Sequence, residues 1–197
     1  GYGGGNKKNP VHVSAYLKNE AGWTSSIAPI APGLTATVSA GQNDFYIYTK
    51  SATEYFIVEN RQKQGRDVSL PDSGLAIWHV DELGSNNNEQ MTPGQHYECS
   101  LEQADNQFDL EHKANKGDSE DLFGSPYNTR FADDTTPNSR WWDGSASGLL
   151  INQISPSGPN MTFVTSEGTP EADVQAALAL LLLEDEDITA PVSLLLG

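Results

Sequence analysis

Residues 54–82 read EYFIVENRQKQGRDVSLPDSGLAIWHVDE. Two short runs dense in β-branched and aromatic residues, EYFIVEN and LAIWHV, flank a loop punctuated by Gly65, Pro71 and Gly74, which predicts a pair of strands joined by a connection. Strand alternation places Ile77 and His79 on one face and Trp78 and Val80 on the other. The same reading extends outward in both directions. LTATVS (34–39), DFYIYT (44–49), HYECSLE (96–102), LLINQIS (149–155) and MTFVTS (161–166) are further strand-length runs separated by Gly, Pro, Asn or Asp. The pattern is mainly β and predicts an antiparallel β-sandwich or a partly open barrel, between which periodicity does not choose. From Gln103 to Ser147 the alternation lapses for longer than an ordinary connection, so this stretch is expected to be an ordered excursion with its own task.

Before the strands, GYGGGNKKNP is flexible by composition. Pro10 then leads into VHVSAYLKNEAGW, where Val11, Ala15, Tyr16 and Leu17 lie near helical spacing and predict a helix of about ten residues ending before Gly22. Trp23, Pro29 and Pro32 mark an extended connector. After Glu167 the charged residues are all acidic, and EADVQAALALLLLEDED predicts a C-terminal helix that starts near Pro170 and stops at the acidic cluster 184–187. The organisation read from the chain is thus 1–24, 25–166 and an acidic, leucine-rich tail or linker at 167–197.

The 197 residues, 37% of them hydrophobic, suffice for a real core. Acidic residues outnumber basic ones by 27 to 11, a net charge of −16, so a nucleic-acid partner is not expected. The single cysteine, Cys99, excludes an internal disulfide and suits a buried thiol. No apolar run of about 18 residues is present to span a bilayer.

The blocks Glu54–Gln62, Gly74–Glu82, His96–Asp105 and Gly148–Ser155, in this order, resemble the region downstream of the zinc site in secreted bacterial metalloproteases of the immune inhibitor A family. None of His12, His79, His96 and His112 opens an HExxH motif. The resemblance implies that residues 1–24 are the end of a catalytic domain and 25–166 a β-rich domain behind it. The chain would be the C-terminal portion of a secreted zinc metalloprotease, inactive by itself. It would support peptide-bond hydrolysis by an upstream domain that holds the zinc and acts on protein substrates.

The segment LEQADNQFDLEHKANKGDSEDLFG (101–124) carries the best ligand set, with oxygens from Asp105, Asp109, Asn115, Asp118 and Asp121. Calcium takes about 6–8 oxygens, and an irregular loop supplies carbonyls alongside carboxylates. Gly117 permits a sharp turn before Asp118. The spacing is not that of an EF-hand, since no glycine stands at the sixth place after Asp105, and a merely solvated acidic loop is the plain reading of such a segment. The resemblance adds weight to structural calcium, because this block looks like the family's acidic loop. His79, Asp81 and Glu82 form a second cluster at a strand end, where a histidine beside carboxylates serves as a base, a ligand or a hydrogen-bonded strut; no serine or cysteine elbow accompanies it. Glu59 and Arg61 share a strand face and predict an ion-pair or hydrogen-bond network joining strands rather than a paired-acid site. Trp141 and Trp142 in a turn predict one buried ring and one at the surface. An exposed ring would suit a non-enzymatic module that binds glycan or a protein surface.

Overall fold

The two runs that open the reading pair along their whole length. Strand β4 (Glu54–Arg61) lies antiparallel to β5 (Gly74–Asp81), in register from Glu54 opposite Asp81 to Arg61 opposite Gly74. Every residue of β4 is buried, which an alternating strand achieves only when both faces of its sheet are covered. In the computed structural model, which describes Lys8 and residues 10–85 and 91–165, the covers are a second sheet on one side and a helix on the other. These residues belong to the first of two units into which the chain divides, Gly1–Glu167 and Gly168–Gly197. The C-terminal helix read from the sequence lies outside the described residues.

The remaining elements are β1 (Ser26–Pro29), β2 (Thr35–Ser39), β3 (Asp44–Thr49), β6 (Cys99–Leu101), β7 (Phe131–Ala132), β8 (Leu150–Asn152) and β9 (Asn160–Thr165), with helix α1 at Ala15–Glu20. The larger sheet runs β1-β3-β4-β5-β6 and the smaller β2-β9-β8-β7. The described strands therefore form two open sheets, a mainly β, sandwich-like fold. Between the sheets, Phe56, Val58, Leu75 and Ile77 meet Ala36, Val38, Ile151, Met161 and Phe163. The alternation that puts Ala36 and Val38 inward leaves Thr35 and Thr37 exposed. On the opposite face of the larger sheet, Ala15 and Tyr16 of α1 cover Phe45, Tyr55, Ile57 and Val80.

Three departures from the sequence reading have local causes. α1 is six residues long, because residues ahead of Ser14 spend their backbone groups elsewhere: the His12 N–H donates to Asp67, and the carbonyls of His12 and Val13 accept from Arg61. The run 96–102 is a strand only at Cys99–Leu101, since the His96 carbonyl turns to accept from the Ser85 N–H. β1 pairs parallel to β3, the one parallel pair among the described strands; it lies in the proline-marked connector, at the sheet edge where proline is tolerated.

The excursion begins beyond β6, and β7 within it joins the smaller sheet. Its side chains help to fill the core: Phe123 and Phe131 are fully buried and pack edge to face. Phe123 also pairs its backbone with Leu75. This approach requires Gly74, because a Cβ there would lie 2.6 Å from the Phe123 carbonyl oxygen.

Candidate functional site

The returning limb of the excursion draws three of the acidic side chains into one cluster. Carboxylate oxygens of Asp105, Asp118 and Asp121 lie within 4.8 Å of one another. Gly117 makes the turn that brings them together: its φ is +98°, and a Cβ there would lie 2.8 Å from Asp121 Oδ2 and 2.7 Å from Pro71 Cγ. That same Oδ2 accepts the Asp118 N–H at 2.8 Å. Asn115 stands just behind, its Nδ2 donating to Asp109 at 2.7 Å and to Asp118 at 2.9 Å, while its Oδ1 accepts the Gly117 N–H. Of the five residues singled out by composition, then, Asp105, Asp118 and Asp121 converge, whereas Asn115 and Asp109 brace Asp118 from outside through hydrogen bonds.

Asp121 is only 3% exposed, and its Oδ1 is buried without a hydrogen-bond partner. Burial pushes its carboxyl up to about 6; Asp118, Asp105 and Asp72 add repulsion, against the lowering effect of the Asp118 N–H. A buried anionic oxygen with no donor is costly unless a cation meets it. Three carboxylates with free lone pairs on an irregular loop are hard-cation chemistry, since calcium is met by carboxylates, carbonyls and water together. Asp72, which sequence reading passed over, enters from the loop before β5 and fastens the returning limb by accepting the Leu122 N–H at 3.0 Å.

A second polar cluster sits at the Glu54 end of β4 and the Asp81 end of β5. His79 is 2% exposed and packs on the Phe56 ring with centroids 4.3 Å apart. Its Nε2 lies 3.3 Å from Glu54 Oε1 and its Nδ1 3.4 Å from Glu102 Oε1. Burial opposes a charged imidazole here, but hydrogen bonds and charge from Glu102 and Glu54 outweigh it and hold His79 above its ordinary value. For Glu54 the balance goes the other way: burial alone would raise it, yet His79, Lys50 and the Trp142 N–H bring its carboxyl down to about 2. Lys50 bridges Glu54 at 2.7 Å and Asp143 at 2.8 Å.

The tryptophan turn closes over this junction. Trp141 is 6% exposed and stacks on Phe56, while the Trp142 N–H donates to Glu54 at 2.8 Å. The Trp142 ring stacks on both His79 and His96, at 4.9 and 4.2 Å between centroids. Asp81 pairs with His96 at 2.8 Å rather than with His79, so the neighbours in sequence do not form a dyad.

Two other features are structural in chemistry. Burial pushes the Cys99 thiol up to about 12, which keeps it protonated and unreactive at neutral pH. A cavity of about 50 Å³ beside β4 is lined by Lys18, Arg61, Glu59 and Asp67 among others; its charges balance, and its size suits ordered water rather than substrate.

Glu102 is the partner that sequence reading missed, because it follows β6 where the alternation stops. Its signal is a glutamate just past a strand that neighbours a histidine-bearing strand. Compared with family models, with curated proteins and with solved structures, the chain matches none.

Proposed function

We propose that this chain is a non-catalytic, calcium-stabilised β-sandwich that stands behind the zinc-bearing catalytic domain of a secreted metalloprotease of the immune inhibitor A type. The observation that carries the calcium reading is Asp121 Oδ1, buried and without a donor, in a cluster with Asp105 and Asp118. The blocks behind the family likeness form β4, β5, β6 with its flanks, and β8, so the likeness rests on the sandwich framework. In this reading the ion fixes the excursion, the excursion completes the core, and hydrolysis belongs to the upstream domain with its protein substrates. The alternative of a glycan-binding module is less favoured, because Trp141 is buried and the Trp142 ring is already stacked on His79 and His96.

The test is thermal unfolding of chelator-treated protein during calcium titration. A ligand bound only by the folded state stabilises it by RT ln(1 + [L]/Kd), about 2.7 kcal/mol at a concentration near 100 Kd. The melting midpoint of the wild type is expected to rise. Asp121→Asn, which keeps the shape but removes the charge, is expected to fold and to lose most of that response. An unmoved wild-type midpoint would reduce the loop to solvated surface.

A further inference from the structure

The ion pairs beside Trp142 specify the charge of His79, the buried imidazole that stacks on it. His79 turns both ring nitrogens toward carboxylates, Glu54 at 3.3 Å and Glu102 at 3.4 Å. His96 sets Nε2 2.8 Å from Asp81 Oδ2 and Nδ1 2.9 Å from the Thr92 carbonyl oxygen. A neutral imidazole has one N–H and one lone pair, so between Glu54 and Glu102 it would point a lone pair at an oxygen; only the imidazolium donates from both nitrogens. The indole stacks within 12° of parallel on both imidazoles, an arrangement in which the ring quadrupole attracts the charge of His79.

We propose that the His79–Trp142–His96 stack is a proton-operated clasp, fastening the 141–145 turn across the ends of β4 and β5 when His79 is protonated and releasing it as rising pH removes that proton. The groups facing His79 come from each packed segment: Glu54 from β4, Glu102 from the chain beyond β6, and the Trp142 ring from the turn, with Phe56 beneath. Outside these, Lys50 and Asp143 extend from Glu54, and Glu111 stands near Glu102 with like charge. His96 faces Asp81 and Trp142.

Deprotonation acts unequally on the two carboxylates of His79. Glu54 retains Lys50 and the Trp142 N–H. Glu102, 9% exposed and near Glu111, therefore keeps the one remaining N–H, and the lone pair falls opposite Glu54, so the repulsion acts on the carboxylate that holds the Trp142 N–H. The sign follows from the raised folded value of His79. The clasp is complete below the ordinary imidazole range and is lost as pH climbs through that folded value.

The experiment uses the full chain and reads hydrogen exchange at the Trp142 amide, which donates to Glu54, corrected for the intrinsic pH dependence of exchange. From about pH 6 to about pH 9, protection of that amide is expected to fall about tenfold or more while amides of β4 and β5 keep theirs. Tryptophan emission gives a second readout, since an imidazolium against an indole quenches it: emission is expected to rise over the same range in the wild type and not in Trp142→Phe. His79→Gln is expected to show low protection at Trp142 at every pH. Should that variant not fold, the wild-type profile and Trp142→Phe decide the matter. Protection constant to within about twofold across the range, or an emission change that persists in Trp142→Phe, overturns the clasp.

Discussion

Glu54 shows how much a single carboxylate organises. It receives the Lys50 ammonium, the Trp142 N–H and the His79 ring at once, and its carboxyl is brought down to about 2 despite burial. A depressed folded value means that stability is gained above the unfolded carboxyl range and lost as pH falls toward 2. Glu54→Gln is therefore expected to melt lower than wild type near neutrality, with the gap closing under acid, as followed by urea midpoints between about pH 5 and about pH 2.5. Unchanged acid sensitivity in the variant would remove Glu54 from the account. Little of this was legible beforehand. The sequence shows Glu54 and His79 at strand ends, but Lys50, Trp142 and Glu102 reach them only through chain reversals. Asp105, Asp118 and Asp121 were readable as oxygen donors, whereas their convergence depends on the turn at Gly117 and on the Leu122 tether to Asp72.

Strands β4 and β5 were readable because their alternation is long and their neighbours punctuate it. β7, two residues long, offers no periodicity to read, and β1 was hidden by its prolines. The junction of α1 with β4 was half legible. Glu59 and Arg61 do pair, and Trp78 Nε1 of β5 joins them at 2.9 Å as a network between strands, but the part of α1, with Lys18 at 3.2 Å and the Ala15 N–H at 3.1 Å on the same carboxylate, was not in the pattern. The partners outnumber the acceptor, so the two halves of the Lys18–Glu59 pair are not equivalent. Glu59→Ala strands a buried ammonium and two N–H donors and is expected to cost about 3–5 kcal/mol. Lys18→Met leaves Glu59 three other donors and fills the space with apolar atoms, so its cost is expected to be less than half of that. Urea denaturation of both variants measures the difference, and equal losses would contradict the asymmetry.

A net charge of −16 on 197 residues opposes compaction of the entire chain. Monovalent salt is therefore expected to raise the melting midpoint gradually, because the screening length falls to about 10 Å near 0.1 M. At equal ionic strength calcium is expected to raise it further and to saturate, since a site fills whereas screening does not. Matching sodium and calcium titrations of the chelator-treated chain would separate these effects, and superimposable curves would leave only screening.

The inter-sheet core is filled in part by a segment with almost no regular structure. Phe123, Phe131, Trp141 and Leu149 all arrive from the connection that follows β6, and closing a long connection costs entropy before any contact repays it. The β4–β5 pairing needs only neighbours close in sequence, so folding kinetics divide along that line. Assembly is expected to run outward from the middle of the larger sheet, its slow event the arrival of two phenylalanines on a wandering chain rather than the pairing of any two strands.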